Sequence, residues 1–230
     1  MSLPVNHVHL YYCDIKQNKI NDASLLLLLN QNERDRYKKF KNKNRQLQFG
    51  LARWLIKQVL YQEFGVCPTQ DYQFTDFCRW HVVGTEQQFS VSISHSAQYI
   101  AVVVADFSCL IGVDIEQHKK RNFSELLAEF STPKEQSIIA REPDQQIAFY
   151  RLWTAKEAFL KASQLSVAKV SQQDLSNCLL HTSSQVANYC YQTGHIADGC
   201  YSYCVMIDTE VLIQLRQLSC IDLVEPDVGL

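Results

Sequence analysis

From Phe89 to Ser94 apolar and hydroxyl side chains alternate without a break, Phe-Ser-Val-Ser-Ile-Ser. Successive side chains of a strand point to opposite faces, so this period of two fits a half-buried strand and not a helix, whose period is 3.6. His95-Ser96-Ala97-Gln98 reads as the turn that follows, and Tyr99–Ala105 as a second strand in hairpin with the first. Ile111-Gly112-Val113-Asp114-Ile115-Glu116 reads as a third, and His7–Tyr12 as a short one upstream.

Helical patterns surround these strands. Asn21-Asp22 can cap a helix through Leu25–Leu29, and another starts near Gln31. From Arg45 to about Glu63, Phe49, Ala52, Ile56, Val59 and Leu60 recur at helical spacing until Gly65 and Pro68 stop them. The pattern then restarts. Thr132-Pro133-Lys134-Glu135 has an N-cap threonine, proline at the first helical position and the glutamate of a capping box. Gln145–Ala162 predicts a longer helix carrying Phe149, Leu152, Trp153 and Phe159. Tyr189–Gln192, Tyr201–Ile207 and Val211–Leu215 predict strands, punctuated by Gly199 and Asp208-Thr209. Helices followed by antiparallel strands, twice over, predict an α+β chain of two similarly organised halves, 1–115 and 116–230.

The length of 230 residues suits one large domain or two small ones, and 47% hydrophobic residues supply a real core, which excludes a disordered chain. A net charge of −2 excludes a globally basic nucleic-acid binder but permits a local basic patch. Met1–His7 has no cationic stretch leading into an apolar one, and Tyr99–Ala105 falls far short of the roughly 20 apolar residues of a spanning helix. The nine cysteines are irregularly spaced, form no Cys-x-x-Cys pair, and leave Cys200 and Cys204 without a second pair at zinc spacing. Reduced, mostly packed cysteines in a cytoplasmic protein away from membranes are expected.

Four features carry chemistry. Asp114 and Glu116 lie two apart on a strand, so they share a face about 6.6 Å apart along the chain while Val113 and Ile115 anchor the other face. Such crowding is relieved by a cation, and hard carboxylate oxygens suit Mg²⁺; two ordinary acids at a solvated strand end fit the spacing as well. Trp153, Glu157 and Lys161 follow one helical face at intervals of four. Glu157 can bring a third carboxylate and Lys161 can meet phosphate oxygen, with Trp153 packing the helix. Ser94-His95-Ser96 ends the alternating strand where phosphate contacts collect, and no Gly-x-Ser-x-Gly elbow points to a hydrolase. Arg34, Arg36, Lys38, Lys39, Lys41, Lys43 and Arg45 crowd one stretch with few aromatics, which favours a compact phosphorylated ligand over nucleic acid. No phosphate-cradling glycine loop of either nucleotide-binding type is present.

Ser92-Ile93-Ser94-His95-Ser96, Gly112-Val113-Asp114-Ile115-Glu116 and Trp153-Thr154-Ala155-Lys156-Glu157-Ala158-Phe159-Leu160-Lys161 stand in the order and spacing of the Sfp-type 4′-phosphopantetheinyl transferases, which this sequence resembles. The resemblance implies two α+β halves related by a pseudo-twofold axis with the ligand in the cleft between them. It implies transfer of the 4′-phosphopantetheine arm of coenzyme A to a serine of an apo acyl or peptidyl carrier protein. Adenosine 3′,5′-bisphosphate would be released, by a monomer acting in fatty-acid, polyketide or nonribosomal peptide synthesis. It further implies Mg²⁺ (or Mn²⁺) on Asp114, Glu116 and Glu157, with Glu157 and Lys161 catalytic. Coenzyme contacts are implied for Arg36, Arg45, Arg53, Ser94, His95, Lys156 and Lys161. The family's Gly-Lys-Pro is replaced by Cys78-Arg79-Trp80-His81, so Arg79 stands in for its lysine, and Gln164 replaces the glycine after the lysine helix. A non-catalytic module binding coenzyme A or a nucleotide is the alternative.

Overall fold

The computed structural model describes residues 7–17, 20–74, 79–209 and 212–217. Met1 to Asn6, Cys78, Val211 and Cys220 lie outside the described residues. The chain divides into two compact units, one built on Val8–Ser108 and one on Cys109–Ile213.

In the first unit, β1 (His7–Asp14) leads into α1 (Asp22–Leu28), α2 (Gln31–Lys39) and α3 (Lys43–Phe64). Each helix starts on an asparagine: Asn21, Asn30 and Asn42 accept from the backbone N–H three residues on, which satisfies donors the first turn leaves open. Gly65 ends α3 in the left-handed conformation at φ 68°, which costs glycine no steric strain. Then come β2 (Tyr72–Phe74), β3 (Arg79–Val82), β4 (Gln88–Ser96) and β5 (Tyr99–Ala105). The first unit's sheet has the order β10-β1-β5-β4-β3-β2, where β10 (Leu212–Gln217) comes from the far end of the chain. Phe89, Val91 and Ile93 of β4 share a core with Leu51, Trp54, Leu55 and Val59 of α3, while Ser90, Ser92 and Ser94 are buried on the other face. His95 and Ser96 are not a turn. They pair with Ile100 and Tyr99 in the β4–β5 ladder, and only Ala97-Gln98 reverse the chain, with Ala97 at φ 49°. Ser94 and His95 therefore face opposite sides of the sheet.

In the second unit, β6 (Ile111–Gln117) is followed by α4 (Phe123–Phe130), α5 (Pro133–Ile139), α6 (Gln145–Ser163), α7 (Val167–Gln172) and α8 (Asn177–Leu180). Thr132 and Glu135 form the expected capping box at the start of α5. Strands β7 (Ser183–Val186), β8 (Tyr189–Ile196) and β9 (Tyr201–Ile207) complete a sheet of order β6-β9-β8-β7. Gln164 caps α6 in the left-handed conformation at φ 58°, so the helix ends where the family's glycine would end it, at some steric cost. Each unit traces the same path: a first strand, helices, then an antiparallel meander whose last strand returns beside the first. The α+β class is as the pattern predicts. No helix among the described residues is long and apolar enough to cross a membrane.

Candidate active site

β6 and α6 build the centre of the second unit's site. α6 starts on Asp144, whose side chain accepts from Ile147 N at 3.0 Å, and its buried face of Ala148, Leu152, Ala155, Ala158 and Ala162 lies on the sheet. Small residues at the contact let helix and strand approach closely. At Gly112 the approach is closest: an added Cβ would stand 2.9 Å from Ala162 N and 3.0 Å from Ala158 C, nearer still to Ala158 O.

That proximity sets Asp114 against the end of the helix. Asp114 is buried, and Lys161 Nζ donates to its Oδ1 at 2.9 Å and to Val113 O at 2.8 Å. Glu157 is half-buried one turn earlier. Burial, and next the negative charge of Asp114, push its carboxyl above the ordinary range, while Lys161 pulls the other way. These two acids therefore share one electrostatic environment with one lysine. Glu116 lies on the same face of β6 and is half-buried. Among the described residues no three His, Cys, Asp or Glu side chains are gathered so as to hold a metal ion. The cation beside Asp114 is the ammonium of Lys161. Mg²⁺ commonly takes only one or two carboxylates and completes its shell with water and substrate phosphate, so the hard oxygens of Asp114 and Glu157 fit that ion. Trp153 packs as expected, stacked on Phe149 and edge-on to Phe130.

Lys156 has a different place. It is buried, pairs with Glu135 Oε1 at 3.0 Å, and donates to the carbonyls of Val170, Ser171 and Gln173. Glu135 is fully buried and also accepts from Leu175 N and Thr132 N, both at 2.7 Å. The ammonium that the resemblance assigns to the coenzyme is thus spent on tying α5, α6 and α7 together.

In the first unit the basic residues collect in two groups. Arg45 Nη1 donates to His95 Nε2 at 2.6 Å and to Gln48 Oε1 at 3.2 Å, and Gln48 donates to Ala97 O at 3.0 Å. The start of α3 is thereby fastened to the β4–β5 turn, with a guanidinium and an imidazole at the surface. Arg36 and Arg53 lie over the Phe49 ring at 5.2 and 4.9 Å, and Arg53 also lies over Trp80 and pairs with Glu33 at 3.2 Å. Arg79 is exposed at the start of β3, opposite Ser90. Ser94 is buried on the face away from His95.

Residues 110–215, which hold Asp114, Glu116, Glu157 and Lys161, match the family model of the 4′-phosphopantetheinyl transferase superfamily. Over that segment the chain is similar to that superfamily. It is 28% identical over 182 residues to the 4′-phosphopantetheinyl transferase HetI of Nostoc sp. PCC 7120, covering 76% of each protein. It is 42% identical over 72 residues to a 4′-phosphopantetheinyl transferase of Bacillus subtilis, 30% of this chain and 31% of that one. With AcpT of Salmonella typhimurium it shares 34% over 104 residues, 40% of this chain and 54% of the relative.

Two features of this chain escape a reading of the sequence. Nothing but the close approach of α6 explains Gly112, which a sequence shows only as one small residue in a strand. His118, Ser202 and His195 meet beyond the end of β6, with Ser202 Oγ 2.8 Å from His118 Nε2 and 3.2 Å from His195 Nδ1. The period-two run Asp114, Glu116, His118 is the signal that could have found the first of them.

Proposed function

We propose that this chain transfers the 4′-phosphopantetheine arm of coenzyme A to the serine of an apo acyl or peptidyl carrier protein, with Mg²⁺, as a cytoplasmic monomer. The observation that carries the proposal is the Asp114–Lys161 pair with Glu157 coupled to it, inside the segment that the family model matches. The carrier serine oxygen attacks the phosphorus bearing the pantetheine arm, the bond from that phosphorus to the bridging oxygen breaks, and adenosine 3′,5′-bisphosphate leaves. Glu157 takes the serine proton, and its raised carboxyl range makes its carboxylate a stronger base than an exposed glutamate. Lys161 moves its ammonium from Asp114 to the pyrophosphate and meets the charge that grows on the leaving group. Arg45, His95 and Arg79 are proposed as coenzyme phosphate contacts. Asp114 and Glu157 would hold Mg²⁺, with Glu116 beside them; the ion supplies charge stabilisation to the phosphates when bound.

The test is mass spectrometry of an apo carrier incubated with coenzyme A and Mg²⁺. The carrier gains the mass of the phosphopantetheine arm with the wild-type chain, and nearly none with Asp114→Ala or Glu157→Ala, both of which stay folded by circular dichroism. Undiminished turnover in either variant removes the site. A panel of acyl and peptidyl carriers then reads which is served.

A further inference from the structure

The first unit holds a pocket that the proposed transfer chemistry does not use. Its volume is about 530 Å³, within the range of small-molecule sites, and every residue lining it belongs to that unit. Three phenylalanines make its apolar surface. Phe64 is the last residue of α3, Phe89 lies on β4, and Phe107 follows β5. The ring centroids of Phe64 and Phe89 are 5.0 Å apart, and Phe64 is backed by a T-shaped contact with His9 at 5.5 Å. Glu86 and Asp106 supply the charge.

Local bonds fix the walls. Thr85 Oγ1 donates to Val82 O and accepts from Gln87 N, both at 3.1 Å, and Val82 N donates to Gln87 O at 3.1 Å. The β3–β4 turn that carries Glu86 is thereby held in shape. Ser90 Oγ donates to Phe107 O at 2.9 Å, which ties the chain after Asp106 to β4.

Three features favour a cation here. No lysine, arginine or histidine lines the pocket, and Glu86 and Asp106 are exposed, with no ion-pair or hydrogen-bond partner among the described residues. Glu63 next door differs, because it pairs with His9 at 3.2 Å and accepts from Tyr11 OH. The 22-residue helix α3 brings its C-terminus, the negative end of its dipole, to Phe64, with no basic residue in its last turn. The faces of the phenylalanine rings attract an ammonium as well. A small hydrated metal ion would gain from the carboxylates alone. An ammonium on an aliphatic chain uses both the carboxylates and the rings.

We propose that this pocket binds an aliphatic ammonium ligand of the diamine and polyamine class. Its ammonium groups are drawn to Glu86 and Asp106, and its methylenes cover the rings of Phe64, Phe89 and Phe107. The binding is non-covalent and independent of the Asp114–Lys161 pair.

The experiment titrates the full-length chain, with 13C-labelled phenylalanine rings, with cadaverine at constant ionic strength. Sodium chloride and 1,5-pentanediol, the neutral analogue of the same length, are the controls. Of the eleven phenylalanines, Phe64, Phe89 and Phe107 are expected to show the largest shifts, saturable with cadaverine and absent with either control. The double variant Glu86→Gln/Asp106→Asn, altered only at exposed positions, keeps the fold and binds cadaverine about tenfold more weakly. Phe107→Leu keeps the pocket apolar but removes one ring face, and weakens binding about threefold. The proposal is overturned if wild type shows no saturable shift at these rings or if pentanediol shifts them equally. Wild-type cadaverine affinity in the double variant overturns it too, whether or not Phe107→Leu folds.

Discussion

Replacing Gly112 by alanine puts a methyl group into α6. Its nearest neighbours would be Ala158 O, Ala162 N at 2.9 Å and Ala158 C at 3.0 Å, all backbone atoms of a continuous helix. No rotamer change can clear them. Ordinary Cβ contacts begin near 3.4 Å, so the helix must withdraw by about half an ångström at the two outer atoms and by more at the carbonyl. Overpacking of this kind costs about 1–3 kcal/mol, and the rigidity of both elements puts Gly112→Ala at the upper end. For a chain of this size that is a fall in Tm of about 6–12 °C. The same withdrawal carries Glu157 and Lys161 away from Asp114, and misplacement on this scale can lower kcat by about 100-fold. Differential scanning calorimetry reads the first effect, and carrier modification at a temperature well below the transition reads the second. Gly194→Ala is the control: its Cβ would meet only the tip of the Tyr203 ring, at 2.8 Å, which a side-chain adjustment can relieve. A Gly112→Ala protein with wild-type Tm and kcat, or a Gly194→Ala protein equally damaged, refutes the reasoning.

Lys156→Met leaves Glu135 buried without its cation and should cost about 3–5 kcal/mol, read by urea unfolding. If Lys156 were a coenzyme contact instead, the variant would keep its stability and raise KM. Glu157→Gln should lose transfer yet unfold at higher temperature than wild type at pH 7. The native Glu157 carboxyl is raised, so the unfolded chain ionises it first and native stability falls as pH rises through that interval. The advantage of the variant vanishes near about pH 3, where both states of the wild type are protonated. Parallel Tm curves for the two proteins across this range would show that Asp114 and burial do not act on Glu157.

Local pattern carried the long elements. The alternation at Phe89–Ser94 and the Thr132–Glu135 capping box are each decided within a few residues, and the structure has both. Ala97-Gln98 has no glycine or asparagine to announce a positive φ, so the strand extends through residues that look like a loop in the sequence. β2 and β3 lie at or next to the sheet edge, are three and four residues long, and expose Gln73, Phe74 and Arg79, which blurs any period of two. Residues sharing one face of an element were legible, as with Asp114 and Glu116 or Glu157 and Lys161. Partners far apart in the chain were not. The Lys161–Asp114 contact spans 47 residues, and Glu33, which engages Arg53, lies on a different helix. A positive charge in a motif does not say whether it points to a ligand, as Lys161 is proposed to, or into the core, as Lys156 does.

The position of β10 beside β1 has a consequence for synthesis. When the ribosome has released Val8–Ser108, five strands of the first sheet are complete, yet β1 has no neighbour on its outer side until residues 212–217 emerge. At about 5–20 residues per second that interval lasts roughly 5–20 s. Throughout it a row of unpaired backbone donors and acceptors is open to other nascent chains, a template for intermolecular pairing. Among the described residues the last strand made is the one that closes the half made first, so a translation product truncated before residue 212 would carry that open edge permanently.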